Sequence, residues 1–348
     1  MTDADAQDAL RDAVRGLLGR ASEADAWRRL CDEVGVAGLV VPERYAGAGA
    51  GLPEACVVLE ELGRTLTPYP MLGSAVITAT AVLACGDAGE RLLPAIATGE
   101  VTAALVWTGA DGGWDPAAPA CRWDGELHGQ AHYVLDGAGA DVLVVAARTP
   151  DGVGLFEASP ADAKVTAATA MDPTRPLGTV TLDGCPARPL GTGDRTAALA
   201  HVRDVACAAL AAEQAGTAAR ALELTVAYTK ERVQFGRPIG AFQALAHRMA
   251  DLHVLVETAR SAAWAAACAP EPELPLLAAV AKTHCSEALT RVAAEMIQLH
   301  GGIGITWEHD AHRYFKRAHG GAQLFGQPHE HVTRLAATVL APPEGSSA

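Results

Sequence analysis

Seven apolar residues alternate in steps of three and four along one stretch: Phe242, Leu245, Met249, Leu252, Val256, Ala259 and Ala263. That spacing holds them on a single stripe of an α-helix, the arrangement that packs helix against helix in a bundle. Helical patterning extends on both sides of the seam, over residues 196–340, broken by the Pro-rich link "APEPELP" (269–275) and by the glycines of "HGGIG". Residues 6–100 also read as helices. Leu10, Val14 and Leu17 mark one face, "EACVVLEELGRTL" a second helix, and Gly86 and Gly99 sit where helices stop. The text between differs. "VTAALVW", "HYVLDG", "ADVLVVAAR", "VGLFEA" and "LGTVTLDG" are short β-rich runs divided by Gly, Asp and Pro. The chain therefore reads as an α+β multidomain protein, mainly α: a helical domain (1–100), a middle β domain (101–195), a helical bundle (196–340) and a disordered tail (341–348).

A chain of 348 residues that is half hydrophobic can bury a large core. Its net charge of -14 argues against a nucleic-acid partner, which needs a basic face to displace counterions from phosphates. No apolar run approaches the ~20 residues that span a bilayer, and the acidic start "MTDADAQDAL" is unlike a signal peptide. The eight cysteines are scattered without a C-x-x-C, so they read as reduced residues of a cytoplasmic protein.

Two stretches carry candidate chemistry. In "RVQFGRPIGAFQ", Arg232 and Gln234 end a helix, Phe235 begins a turn, and Gln243 opens the next helix with its amide free. Arg presents a permanently charged fork of donors suited to a diphosphate. The plainer reading is an Arg that caps a helix C-terminus and a Phe that packs in the core. In "QLHGGIGITWEHDAHRYFKRA", Gln298 stands before Gly301 and Gly302, which let a ligand approach the backbone closely. The run is not a dinucleotide fingerprint, because it follows a helix rather than a strand. His309, His312, His329 and His331 invite a metal, but no carboxylate or Cys spacing accompanies them, so they read as solvated or interface histidines. There is no G-x-S-x-G elbow and no P-loop.

Taken in order, "GVAGLVVPERYAGAG", "VVLEELGRTLTPYP", "LLPAIATGE", "MDPTRPLGTVTLDG", "RVQFGRPIGAFQ" and "QLHGGIGIT" resemble the acyl-CoA dehydrogenase family over nearly the whole chain. The resemblance implies a helical domain, a β domain and a C-terminal four-helix bundle. It implies FAD as cofactor and an acyl-CoA substrate that loses two hydrogens from Cα and Cβ. It also implies that Arg232 meets the FAD pyrophosphate, that Gln234, Phe235 and Gln243 lie in the motif that faces the cofactor, and that Gln298, Gly301 and Gly302 lie at its ADP end. In the family these motifs reach a FAD held mainly by a neighbouring subunit.

The sequence departs from that family at its chemistry. The base is a Glu before a Gly, and gapless alignment puts Phe325 there, before Gly326. The other family position for the Glu falls at Ala206. Neither side chain takes a proton; Asp204 and Glu330 lie nearby but off both positions. "WTGADGGWDP" (107–116) replaces the Thr-Glu-Pro and Gly-Ser-Asp stretch, and Leu135 stands where a hydroxyl would reach the flavin. One branch of the family has this pattern, the heteromeric enzymes of actinobacterial steroid side-chain breakdown, where two dehydrogenase-like chains form an α2β2 assembly and one supplies the base. The resemblance thus implies a base-lacking subunit with no catalytic residue of its own, completing a partner's FAD site. The alternatives are a self-sufficient homotetramer with a displaced base and a non-catalytic scaffold subunit.

Overall fold

The computed structural model describes residues 3–340, so the tail expected at 341–348 lies outside the described residues. The first part holds α1 (Asp3–Leu18), α2 (Glu23–Arg29), α3 (Leu52–Thr65), α4 (Ala79–Leu83) and α5 (Leu93–Ala97). Wider π-helical turns at Leu30–Val34 and Met71–Thr78 adjoin α2 and α4. Val14 and Leu17 are fully buried, as the spacing along α1 predicts.

The middle part is built from β1 (Ala103–Val106), β2 (Cys121–Trp123), β3 (Leu127–Leu135), β4 (Val142–Thr149), β5 (Gly152–Ala158), β6 (Lys164–Ala167), β7 (Leu177–Cys185) and β8 (Ala187–Pro189). They form one sheet in the order β6-β7-β3-β2-β4-β5-β8, with β1 also paired to β4. β1 and β2 lie parallel to β4 in succession, and the remaining pairs are antiparallel. The sequence marks the longer apolar strands and misses β2, β6 and β8, which are short and largely polar, so no alternation builds up in them.

The last part opens with α6 (Thr196–Glu231), a helix of 36 residues. Over Val205–Ala219 every residue is buried, which marks it as the central rod of the bundle. A hairpin of β9 (Val233–Gln234) and β10 (Arg237–Pro238) leads to α7 (Gln243–Ala267), then α8 (Leu274–His300), α9 (Ala311–Gln323) and α10 (Pro328–Val339). Leu252, Val256, Ala259 and Ala263 of the α7 seam are buried against the bundle.

α3 and α6 tie the first part to the last through a close crossing. A Cβ on Gly63 would lie 2.1 Å from the Glu213 carbonyl, and one on Gly216 would lie 1.9 Å from the Glu60 carbonyl. Only glycine lets the two backbones approach this far. Ion pairs surround the crossing, Arg15 to Glu61 at 2.8 Å and Arg64 to Glu223 at 2.8 Å. One apolar cluster runs through all three parts, from Leu17 and Leu59 through Trp107 and Val144 to Leu210, Ala278 and Phe325, and smaller ones fill the far side of the sheet and the end of the bundle.

Candidate functional site

The chain runs up α6, down α7 and up α8, which brings the C-terminus of α6, the N-terminus of α7 and the C-terminus of α8 to one end of the bundle. Tyr228 fixes the first to the third: its ring stacks on His300 with centroids 4.3 Å apart and planes 25° apart. Tyr228 lies one turn before Arg232 and accepts the Arg232 N–H through its carbonyl at 2.9 Å. His300 immediately precedes Gly301. The two motifs singled out in the sequence therefore share one surface.

Arg232 ends α6 with extended backbone (φ -70, ψ 116). Its side chain has no ion-pair or hydrogen-bond partner among the described residues, so it caps no helix carbonyl. Gln234 lies in the hairpin rather than at the helix end, because the chain leaves helical geometry at Arg232 and pairs Val233–Gln234 with Arg237–Pro238. The two-residue loop has positive φ at both Phe235 (53°) and Gly236 (77°). Such loops favour Asn-Gly, so Phe at the first position is backbone strain. Phe235 is also 94% exposed, which rules out the core-packing reading. It meets only the edge of Phe242, at 6.3 Å, while the Arg237 guanidinium covers the Phe242 ring at 4.0 Å. Gln243 begins α7 as its spacing predicts, and is exposed.

At the end of α8, Gln298 is exposed, and its carbonyl accepts the Gly301 N–H that closes the helix. Gly301 needs its positive φ of 61° to turn the chain away. Gly302 does not: a side chain there would meet nothing of this chain within 4 Å. The glycine leaves open space for something outside the chain. Trp307, 77% exposed, and Ile305 stand beyond it, with the Lys316 ammonium 4.4 Å from the Trp307 ring centre.

The surroundings of Phe325 are packed with rings. Phe325 is 2% exposed, 6.0 Å from Trp107 and 5.7 Å edge-on from Trp114, and Trp114 continues to Tyr133 at 6.4 Å. Leu135 is buried beside them. "GADGG" folds into its own turn, with the Gly113 N–H donating to the Gly109-side Asp111 carboxylate at 2.9 Å and the Gly109 N–H to the Gly113 carbonyl at 2.8 Å. The Gly112 N–H also donates to the Gly109 carbonyl at 3.0 Å.

A buried polar brace holds the Phe325 segment, which has positive φ at both Phe325 (60°) and Gly326 (104°). His331 Nε2 lies 3.0 Å from the Phe325 carbonyl and serves as its donor. The fully buried Lys282 donates to the Ala322 carbonyl at 3.0 Å and to Ser286 at 3.1 Å, and Ser286 pairs with Gln214. Burial pushes the Lys282 ammonium down to about 8. His312 and His331 are buried rather than solvated, the first under Trp307 and the second in this brace. Among the described residues no group of three or more His, Cys, Asp or Glu is placed to hold a metal.

Neither stray carboxylate stands free. Glu330 accepts the Gln327 N–H at 2.6 Å in a capping box at the start of α10, and is exposed. Asp204 is buried and paired with Arg334 at 2.5 Å. Ala206 is buried in α6. Sequence reading missed Tyr228, His300 and the Lys282 brace. Tyr228 four residues before Arg232 was a legible helical neighbour, whereas the brace joins α6, α8 and α10 from far apart in the chain.

Two family models match the chain: Acyl-CoA dehydrogenase, N-terminal domain, over residues 4–100, and Acyl-CoA dehydrogenase, C-terminal domain, over residues 197–340. The chain is 43% identical to the acyl-CoA dehydrogenase IpdE2 of Mycobacterium tuberculosis over 95% of its own length and 92% of that protein's. It is similar to a solved variant of the Tcur3481–Tcur3483 steroid ACAD, with TM-score 0.86, 35% identity and coverage of 97% of this chain and 99% of that one. It is similar also to the ChsE4–ChsE5 complex of Mycobacterium tuberculosis, with TM-score 0.85, 26% identity and 99% of each chain covered. No helix among the described residues is long and apolar enough to cross a membrane.

Proposed function

The chain belongs to the acyl-CoA dehydrogenase family, and from that premise we propose that it is the base-lacking subunit of a two-chain, FAD-dependent acyl-CoA dehydrogenase. The observation that carries this reading is the placement of Phe325. Phe325, which the resemblance puts at the base position, is an apolar ring buried on Trp107 and Trp114, while Arg232, Phe235 and Gln298 present side chains outward at the far end of the bundle.

Bound FAD would supply the hydride acceptor for the β-carbon of the acyl thioester. This chain's part is to complete the cofactor's binding. Arg232 offers its unpaired guanidinium fork to the pyrophosphate; Phe235 covers apolar surface; Gln298 and the open backbone at Gly301 and Gly302 receive the ADP portion. The residues fit that role because each faces away from the chain that carries it. They do not fit a flavin held within this chain, where Tyr133, Trp114 and Phe325 occupy the space and Leu135 offers no hydrogen bond. Proton abstraction at the α-carbon then falls to a carboxylate of the partner, a second acyl-CoA dehydrogenase-like chain in an α2β2 assembly. Similarity to the steroid ACAD supports a CoA ester of a steroid side chain as substrate.

The test is co-purification with the dehydrogenase-like product of an adjacent gene, with flavin counted per chain. One FAD for every two chains, and a colourless protein when this chain is made alone, is the expected result. A yellow lone chain that oxidises acyl-CoA would restore the homotetramer. A complex whose flavin is indifferent to Arg232 would leave only a scaffold.

A further inference from the structure

The three parts of the chain meet at a junction of buried charge that plays no part in the cofactor-facing surface. Asp136, just past β3, is 9% exposed or less, as are Asp172 and Arg175 before β7, Glu213 on α6 and Arg317 on α9. Glu213 binds both guanidiniums: Arg175 directly, and Arg317 Nη1 at 3.1 Å. Arg317 also donates to the Thr174 carbonyl at 2.9 Å and lies 3.3 Å from Asp172. Asp136 closes the group from the other side, against the π-helical turn of the first part. A Cβ on Gly73 would fall 2.2 Å from its Oδ2, so the carboxyl rests on that turn's backbone.

The count of charges is unbalanced. Fully ionised, the junction would hold three carboxylates and two guanidiniums, and the guanidiniums are already committed to Glu213 and Asp172. No described residue donates a hydrogen bond to the Asp136 carboxyl. The turn at Gly73 brings no titratable group; Tyr69 lines the same small cavity beside Thr67 and Thr174.

We propose that Asp136 is a proton-dependent latch for this three-part junction, neutral while the parts are closed and ionised when they separate. A neutral carboxyl fits the close contact with the Gly73 backbone. An anion there would be desolvated and unpaired. It would also compete with Glu213 for Arg175, whose buried Nε has no acceptor, and so would draw the strand end and α6 out of register. The electrostatics agree: burial pushes Asp136 up to about 7, the Arg175 charge opposes this, and Glu213 adds to it. The sign follows. An ordinary Asp ionises near ~3.9, so the folded state binds the proton more tightly than the unfolded one. The latch's contribution is whole below that value and is lost as pH rises from ~4 to ~7.

The experiment is thermal unfolding of the full chain and of Asp136→Asn, a neutral isostere, from pH 4.5 to 8. The melting-point difference between them isolates Asp136 from every other titrating group. The variant should gain on the wild type steadily as pH rises, then level off near neutrality. A difference that is flat, or that favours the wild type at high pH, overturns the latch and makes Asp136 an ordinary partner of Arg175. Should the variant fail to fold, carboxyl-labelled aspartate in the wild type gives the answer by carbon NMR. One resonance titrating near neutral pH supports the proposal; all of them complete below roughly 5 refutes it.

Discussion

Tyr228 and His300, 72 residues apart, stack with ring centroids 4.3 Å apart, and this contact joins two motifs that the sequence presents as separate. His309 covers His300 from another side, also at 4.3 Å. If the motifs act as one surface, Tyr228→Leu should weaken both folding and function. Loss of a stacked pair is worth ~0.5–1.5 kcal/mol beyond area. Chemical denaturation of the lone chain should register that loss, and FAD titration of the assembled complex should register a parallel fall in affinity. Unchanged flavin affinity would mean that the two motifs work independently.

Arg232→Ala should cost the assembled complex about 1.5–3 kcal/mol of FAD affinity, the worth of a charge-assisted contact. That is roughly one to two decades in Kd. Arg232→Lys should recover part of it, since a point charge replaces a fork. The folding stability of the lone chain should stay put in both variants, because the side chain has no partner there. Flavin titration beside denaturation separates the two effects.

Neither Glu330→Gln nor Asp204→Asn should remove catalysis from the complex. Glutamine at 330 keeps an acceptor for the cap. Asparagine at 204 weakens the contact with Arg334, a hydrogen bond to charge worth about 1.5–3 kcal/mol of stability. Turnover measured at equal folding and equal flavin should remain within a few-fold of wild type. A general base contributes about 100- to 10,000-fold, so a loss of that size from either change would place the base in this chain.

Gly216→Ala should destabilise the chain by about 1–3 kcal/mol through overpacking. In a helix free of neighbours the same change would stabilise by ~1 kcal/mol. The Glu60 carbonyl 1.9 Å from the new methyl decides the sign. Denaturant midpoints compare the two directly.

His331 should make the chain sensitive to acid. Burial pushes its imidazole down to about 4, the Lys282, Arg334 and Arg203 charges add to this, and the Phe325 carbonyl opposes it. An unfolded His ionises near ~6.5. Its stabilising contribution is present above that value and is lost as pH falls toward 4. Melting curves should show the wild type losing more stability over that range than His331→Gln, in which an amide can still donate to Phe325.

Much of the architecture was legible in the linear text because it depends on local periodicity. The α7 seam, the buried face of α1 and the longer strands each repeat at the spacing of the structure they form. Arg232, Phe235, Gln298 and Gly302 stand out in the sequence as a set through the family resemblance, which residue type and order carry. Their direction was not: sequence left Arg232 between capping and binding, and Phe235 between core and surface. Only the folded chain turned both outward, because the hairpin after α6 imposes a loop whose left-handed backbone projects Phe235 from the bundle. The same holds at Phe325. The family resemblance puts an apolar side chain, Phe325, at the position it implies for the base. The tertiary structure decided that the space is filled, since Trp107, Trp114 and Tyr133 come to it from the sheet and its loop, and Lys282 and His331 hold the segment from α8 and α10. Contacts between elements so distant in the chain leave no period in the sequence, and packing in three dimensions alone selects them.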